Sequence, residues 1–162
     1  MKRFGVRGSA FGTEGGYTFI ELLVVSTMLL VLASAIMPLT KVTMQRMREA
    51  ELRRSLREMR TAIDKYKDMA DTGQLGPQKL GGEGYPESLE ILVEGVKKAG
   101  QVDTKVRFLR RIPKDPMTRS TDWGKRSMQD DPKSMGWGGQ NVFDVYTKSS
   151  DKASDGTSYS EW

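Results

Sequence analysis

The chain has 162 residues, with 26 lysines and arginines against 21 aspartates and glutamates, and a formal net charge of +5. It contains neither cysteine nor histidine, so it has no disulfide and lacks the commonest catalytic base and zinc ligand. The small and mixed charge favours a solvated surface over one that binds nucleic acid.

Residues 1–16 form a short leader that contains the basic residues Lys2, Arg3 and Arg7. An ordinary secretory signal has its apolar run before the cleavage site, whereas here the apolar run follows Gly16. Any cleavage ahead of this run would therefore leave an apolar anchor on the mature chain. The alternative is an uncleaved signal anchor.

Residues 17–39 are about as long as a membrane-spanning helix, which needs roughly 20 apolar residues. Glu21 lies inside this stretch, where a carboxylate costs about 2.5–3.5 kcal/mol even on lenient insertion scales. The stretch holds no second charge, so we expect the partner of Glu21 at a terminus, on another subunit or at the headgroup boundary. Pro38 removes a backbone hydrogen bond, which predicts a bend or local melting.

The helical pattern continues over 40–72 as an amphipathic segment, so one helix is predicted over about 17–70. Apolar residues spaced by three and four positions predict one buried face that docks on a globular domain. These residues are Leu52, Leu56, Met59, Ile63, Tyr66 and Ala70. The remaining faces carry residues of opposite charge four positions apart, which predicts i,i+4 ion pairs. The expected pairs are Glu49–Arg53, Arg54–Glu58 and Arg60–Asp64.

Residues 73–162 are predicted to form this globular domain. A loop rich in glycine and proline opens it, and Pro86 and the apolar spacing that follows predict a second helix over about 87–98. Strands are predicted in the sequence KVRFLRRI and near 142–147, with a turn-rich connector between them. The predicted fold class is α+β, with a long N-terminal helix packed on a small antiparallel sheet.

The aspartates of the turn-rich sequence do not predict catalysis. Asp115, Asp122, Asp130 and Asp131 lie where aspartates usually cap helices or close Asx-turns. No nucleophile elbow accompanies them. We therefore predict that the chain is not an enzyme.

The tail of the chain contains a candidate calcium site. Calcium takes about six to eight oxygen ligands from carboxylates, carbonyls and hydroxyls on a tightly turning loop. Asp151 and Asp155 lie four positions apart among serines and before Gly156, and Ser150 offers a further oxygen. The EF-hand pattern is missing. On its own, this segment is more typical of a solvated Asp/Ser/Gly turn.

The N-terminal residues resemble the processing signal of type IV pilins and type II secretion pseudopilins. The resemblance is carried by the basic leader, Gly16, the aromatic Tyr17, and the sequence TFIELLVV with Glu21 in register with Pro38. It implies that a prepilin peptidase cleaves after Gly16 and methylates the new N-terminus on Tyr17. It also implies a cytoplasmic N-terminus and a periplasmic C-terminal domain.

The C-terminal half extends the resemblance to the G-type major pseudopilins. An Asp-Pro turn, a Trp-Gly pair, the sequence FDVYT, an Asp/Gly-rich loop and a final Trp occur in the order typical of that family. The chain departs from the pattern by an insertion after Trp123 and by a short terminal loop. The resemblance implies a type IV pilin-like fold and a calcium ion bound by Asp151, Asp155 and Ser150.

The implied function is that of a structural subunit of the type II secretion pseudopilus, a single-pass inner-membrane protein that polymerises with itself into a periplasmic filament. Expected partners are minor pseudopilins, the prepilin peptidase, the inner-membrane secretion platform and membrane lipid. Two alternatives stay open. One is a type IV pilin of a surface fibre for motility, adhesion or DNA uptake, and the other is a membrane-anchored calcium-dependent binding module.

Overall fold

The structure, a computed structural model, describes residues 16–100 and 104–162, without the side chains of residues 35–39. The predicted leader before Gly16 and the side chain of Pro38 therefore lie outside the described residues. The chain divides into two compact units, Met1–Lys41 and Val42–Trp162.

The predicted long helix is present as α1, Phe19–Asp71. Thr18 precedes it, and its Oγ1 accepts a hydrogen bond from the Glu21 N–H at 3.3 Å, as an N-cap threonine does. After its last turn, Gly73 takes a φ of +66°, and the N–H groups of Gly73 and Gln74 donate to Ala70 O and Met69 O. This Schellman arrangement ends the helix at the predicted glycine.

The helical backbone is continuous through position 38, so the expectation of local melting there is wrong. A proline loses the N–H that would bond to the carbonyl one turn earlier, but it leaves the other helical hydrogen bonds intact. Both halves of α1 therefore have helical backbone.

The predicted apolar stripe is confirmed within Val42–Trp162. Leu52, Met59 and Ile63 have no exposed surface, and the other members of the stripe are buried or half-buried. The predicted i,i+4 ion pairs are absent among the described residues of α1. The pair formed with that spacing is instead Lys67–Asp71, with 2.5 Å between Nζ and Oδ1.

The second helix, α2, is shorter than predicted and comprises Leu89–Glu94. It ends because Gly95 has a φ of +84° and lies against β2, where a Cβ atom would come within 2.8 Å of the Val106 carbonyl oxygen. The next residues form strand β1, Val96–Lys97, which pairs antiparallel with β2, Lys105–Val106. The prediction of a helix over 87–98 is therefore wrong at its C-terminal end.

The strand predicted in KVRFLRRI is also shorter than expected. After β2, the N–H groups of Phe108 and Leu109 both donate to the carbonyl of Leu92 in α2, at 2.9 and 3.0 Å. These backbone donors are satisfied by a helix rather than by a neighbouring strand, so the ladder stops at Val106.

A second two-stranded antiparallel sheet consists of β3, Gly124–Arg126, and β4, Asp144–Tyr146. β4 confirms the strand predicted near 142–147, whereas β3 lies in the predicted turn-rich connector. Gly124 is required by its contact with the ring of Tyr146, which a Cβ atom would approach to 2.3 Å. The fold is α+β, with a long helix and small antiparallel sheets.

The core of Val42–Trp162 lies between the apolar stripe of α1 and the residues around β3 and β4. Trp123, Val142 and Val145 are almost fully buried in it. The indole Nε1 of Trp123 donates to Pro113 O at 2.8 Å, which satisfies its polar atom inside the core. The chain after β4 ends in a 3-10 helix, Tyr159–Glu161.

Candidate functional site

The predicted processing site lies directly before α1. Gly16 is exposed, and a Cβ atom built on it would meet nothing within 4 Å. Tyr17, the residue after the predicted scissile bond, is 74% exposed. Packing among the described residues therefore does not require a glycine at position 16, and the bond between Gly16 and Tyr17 is accessible in them.

The first half of α1 is an exposed apolar surface. The large apolar side chains that the structure describes between Phe19 and Leu32 are all 44% exposed or more, on every side of the helix. They are Phe19, Ile20, Leu22, Leu23, Val24, Val25, Met28, Leu29, Leu30, Val31 and Leu32. A contiguous exposed apolar surface of this size marks an interaction site rather than a solvated face.

Glu21 is the acidic residue within this apolar surface. Its carboxylate lies in the first turn of α1, where the positive end of the helix dipole favours it. In the part of the chain that the structure describes, the Glu21 carboxylate has no hydrogen bond and no salt bridge, and its side chain is exposed. It is therefore available to a partner from outside the described residues.

The membrane anchor predicted over 17–39 falls on the first half of α1. No helix within residues 16–100 and 104–162 combines the length and apolar character needed to cross a bilayer.

The tail folds into a tight hairpin over residues 152–158, here called the tail hairpin. Lys152 and Ser158 pair as an antiparallel bridge. The N–H of Ala153 donates to Thr157 O at 2.8 Å, and Gly156, with a φ of +88°, donates back to Ala153 O at 3.0 Å. Backbone hydrogen bonds therefore close this hairpin.

The structure places Asp155 at the tip of the tail hairpin. Its Oδ1 accepts hydrogen bonds from the Thr157 hydroxyl at 2.6 Å and the Thr157 N–H at 2.9 Å. These hydrogen bonds hold the pKa of the Asp155 carboxyl below its usual value. Asp155 thus closes an Asx-turn, the arrangement expected of such a segment without a metal ion.

The other predicted calcium ligands, Asp151 and Ser150, are exposed. The carbonyl of Asp151 accepts the Tyr159 N–H at 3.3 Å, and the carbonyl of Ala153 is bonded within the hairpin. In the described ranges, no three acidic, histidine or cysteine side chains come together as a metal-binding group. The carbonyls of Asp151 and Ala153 and one carboxylate oxygen of Asp155 therefore already accept protein donors. Two carboxylates without a third acidic side chain nearby among the described residues are a poor fit for an ion that takes about six to eight oxygen ligands.

A buried carboxylate that sequence reasoning missed lies beside the tail hairpin. Glu49 of α1 is 5% exposed, and its Oε1 accepts hydrogen bonds from the Ser154 N–H at 3.0 Å and the Tyr159 hydroxyl at 3.0 Å. Gln45 Nε2 reaches the same oxygen at 3.2 Å, and the Ser154 hydroxyl donates to Oε2 at 3.2 Å. These four residues are the Glu49 cluster.

The charge of Glu49 is stabilised by these donors. Burial alone raises the pKa of its carboxyl, but the hydrogen bonds from Ser154, Tyr159 and Gln45 outweigh burial and leave that pKa below its ordinary value. Burial also raises the pKa of the Tyr159 phenol, with the Glu49 carboxylate adding to the increase, so the phenol remains a donor at neutral pH.

The sequence contains one signal for this cluster. Glu49 precedes Leu52 by three positions, so it continues the apolar stripe of α1 rather than its charged faces. Its expected partner Arg53 turns elsewhere and places its guanidinium 4.0 Å above the ring of Trp162.

Trp162 is held by Arg53 and by two further residues. Its ring meets Tyr159 edge to face with centroids 5.1 Å apart. Its carbonyl accepts a hydrogen bond from Arg60 Nη2 at 2.7 Å, and Arg60 Nε pairs with Asp144 Oδ1 at 2.7 Å. Trp162 therefore packs on Tyr159 and α1.

Asp115 is the most deeply buried of the turn aspartates. It is 0% exposed and accepts hydrogen bonds from the Met117 N–H at 2.8 Å and from the hydroxyls of Thr118 and Thr147 at 3.0 and 2.5 Å. Each carboxylate oxygen therefore has a donor. The bond to the Met117 N–H closes the predicted Asx-turn, and the bond to Thr147 joins this turn to the residue that follows β4.

Comparison with known proteins gives no match, whether to a family model, a curated protein or a solved structure. Function is therefore inferred from the residues described above.

Proposed function

We propose that this chain is a structural subunit of the type II secretion pseudopilus, with a type IV pilin-like fold. The segment 17–39 anchors it in the inner membrane, and the unit Val42–Trp162 lies in the periplasm. The observation that carries this proposal is the carboxylate of Glu21. It lies on an exposed apolar helix, five positions after Gly16, without a partner among the described residues.

The partner of Glu21 is the α-amine of Tyr17 on a neighbouring copy. Cleavage after Gly16 creates this amine, so the charge pair becomes available only in the mature chain. A cation next to Glu21 offsets the cost of its carboxylate in an apolar environment, and it sets the axial position of one subunit on the next.

The two halves of α1 have different surroundings in this proposal. The apolar surface of the first half is covered by lipid before assembly and by other copies in the filament. The second half buries its stripe in the globular unit and presents charged residues outward. The minor pseudopilins, the prepilin peptidase and the inner-membrane secretion platform are the partners of this cycle, and the chain has no catalytic role.

The nearest alternative is a type IV pilin of a surface fibre, which shares the same N-terminal arrangement. Many surface pilins close a C-terminal loop with a disulfide, and this chain has no cysteine. A second alternative, a calcium-dependent binding module on an uncleaved anchor, is disfavoured by the poor fit of Asp151 and Asp155 to calcium.

The test is assembly in a cell that carries a type II secretion platform and a prepilin peptidase but lacks its own major pseudopilin. We expect the chain to form filaments seen by electron microscopy and to restore secretion of the resident substrate. Filaments without secretion would favour the surface pilin, and an uncleaved monomer would favour the binding module.

A further inference from the structure

We propose that the tail of this chain folds without calcium, and that the carboxylate of Glu49 holds the tail hairpin in place of a metal ion. The inference concerns the folding of the unit Val42–Trp162. It goes beyond the proposed function and does not depend on filament assembly. By folding without calcium, the tail differs from the calcium-binding tail that the resemblance to G-type major pseudopilins implies.

The first step is that the tail hairpin closes itself. Its backbone makes the bonds Ala153 N–H to Thr157 O and Gly156 N–H to Ala153 O, at 2.8 and 3.0 Å. The Asp155 carboxylate turns onto Thr157 with two further hydrogen bonds. A calcium ion at this tip would have to compete with these donors for Asp155 Oδ1.

The second step is that the hairpin is joined to α1 by a carboxylate. Glu49 receives both the N–H and the hydroxyl of Ser154, one on each oxygen, at 3.0 and 3.2 Å. It also receives the phenol of Tyr159, which follows the hairpin, at 3.0 Å. Hydrogen bonds to a charged acceptor are about twice as strong as neutral ones, so one anion fixes the hairpin at two points.

The third step concerns charge. A calcium site offsets the repulsion of its carboxylates with a bound cation. Here the hydrogen bonds from Thr157 are the main cause of the lowered pKa of the Asp155 carboxyl, and the positive charge of Arg53 adds to them. The guanidinium of Arg53 lies on the ring of Trp162, whose Nε1 donates to Thr157 Oγ1 at 2.9 Å. A side chain of α1 therefore contributes positive charge beside the tail hairpin.

The test is thermal unfolding of the full mature chain in detergent micelles, followed by near-ultraviolet circular dichroism, in excess chelator and in millimolar calcium. We expect the same melting temperature in both, and a Glu49→Gln variant that melts about 5 °C lower in both. Asp151→Asn, at an exposed position, is the matched control and should melt with the parent.

Two outcomes would overturn the inference. One is a melting temperature of the parent chain that rises with calcium and falls with chelator. The other is saturable terbium luminescence, excited through Trp162, that Asp151→Asn abolishes. Neither measurement needs a folded Glu49 variant, and neither depends on filaments, so failure of this inference is distinct from failure of the proposed function. Ser154→Ala, which removes only the bond to Glu49 Oε2, is expected to lower the melting temperature by a smaller amount.

Discussion

The Glu49 carboxylate and the Tyr159 hydroxyl are hydrogen-bonded at 3.0 Å, although 110 positions of sequence separate them. This bond joins the middle of α1 to the 3-10 helix at Tyr159–Glu161, and Ser154 within the tail hairpin bonds to the same carboxylate. The last residues of the chain have little apolar surface, so this polar contact adds to the packing of Tyr159 and Trp162 in holding them.

The first prediction concerns the charge of Glu49. Glu49→Gln should lower the free energy of unfolding at pH 7 by about 1–3 kcal/mol. The variant replaces one of the two acceptor oxygens by an NH2 group, which faces donors instead of accepting from them. Urea unfolding of the parent and the variant measures this. Glu51→Gln, at an exposed position of the same helix, is the control and should leave stability unchanged.

The second prediction is the pH dependence of that difference. The pKa of Glu49 is lower in the folded chain than its ordinary value of 4.5, so the folded state favours the charged form. Its contribution to stability is complete above pH 4.5 and is lost as the pH falls through the folded-state pKa. The gap between parent and Glu49→Gln should therefore narrow in acid, and a gap that widens below pH 4.5 would contradict this account.

The apolar stripe of α1 and the Glu49 cluster differ in how much of them the sequence reveals. Leu52, Leu56 and Met59 follow a spacing of three and four positions, which any amphipathic helix shows and which depends on local geometry alone. The contact between Glu49 and Ser154 depends on where the tail returns to the helix, and no local pattern encodes that. The stripe was therefore predictable, and the cluster was indicated only by the position of Glu49 on the same face.

The strands also differ in whether a local sequence pattern or a distant contact determines them. β4 is predictable because the segment around it is rich in β-branched and aromatic residues, namely Val142, Phe143, Val145 and Tyr146. β3 has the sequence GKR, which has no strand pattern, and exists because Gly124 lets the ring of Tyr146 pack on the backbone. The end of α2 depends likewise on the approach of β2 to Gly95.

The third prediction concerns Asp115, which is buried and accepts three hydrogen bonds. Asp115→Asn should cost about 2–3 kcal/mol, because an amide nitrogen faces the Thr118 and Thr147 hydroxyls in place of an acceptor. Asp122→Asn removes an exposed ion pair with Lys148 and should change stability by less than about 1 kcal/mol. Equal effects of the two substitutions in urea unfolding would show that burial of Asp115 does not set its contribution.

The fourth prediction concerns cleavage. Gly16→Val should leave the full-length precursor in the membrane fraction when the chain is produced with a prepilin peptidase. No atom of the residues from Gly16 onward that the structure describes crowds position 16, so the variant should fold normally and fail only as a substrate. Immunoblotting separates precursor from mature chain, and Gly15→Val is the control expected to be cleaved. A mature band from Gly16→Val would refute the assigned cleavage site.

The fifth prediction concerns Glu21. Glu21→Leu should insert and be cleaved as well as the parent, because removing the carboxylate lowers the cost of the apolar environment. It should form few filaments, because the charge that pairs with the Tyr17 amine is gone. Electron microscopy of sheared filaments measures this, with Ile20→Leu as the control at a neighbouring exposed position. Filaments of normal number and length from Glu21→Leu would remove the charge pair from the account.

The central claim is that the assembled subunit begins at Tyr17 with a methylated amine. The most direct test is the accurate mass of the N-terminal peptide from purified filaments. We expect a peptide that starts at Tyr17 and carries one methyl group. A peptide that begins at Met1, or an N-terminus at any other residue, would contradict the account.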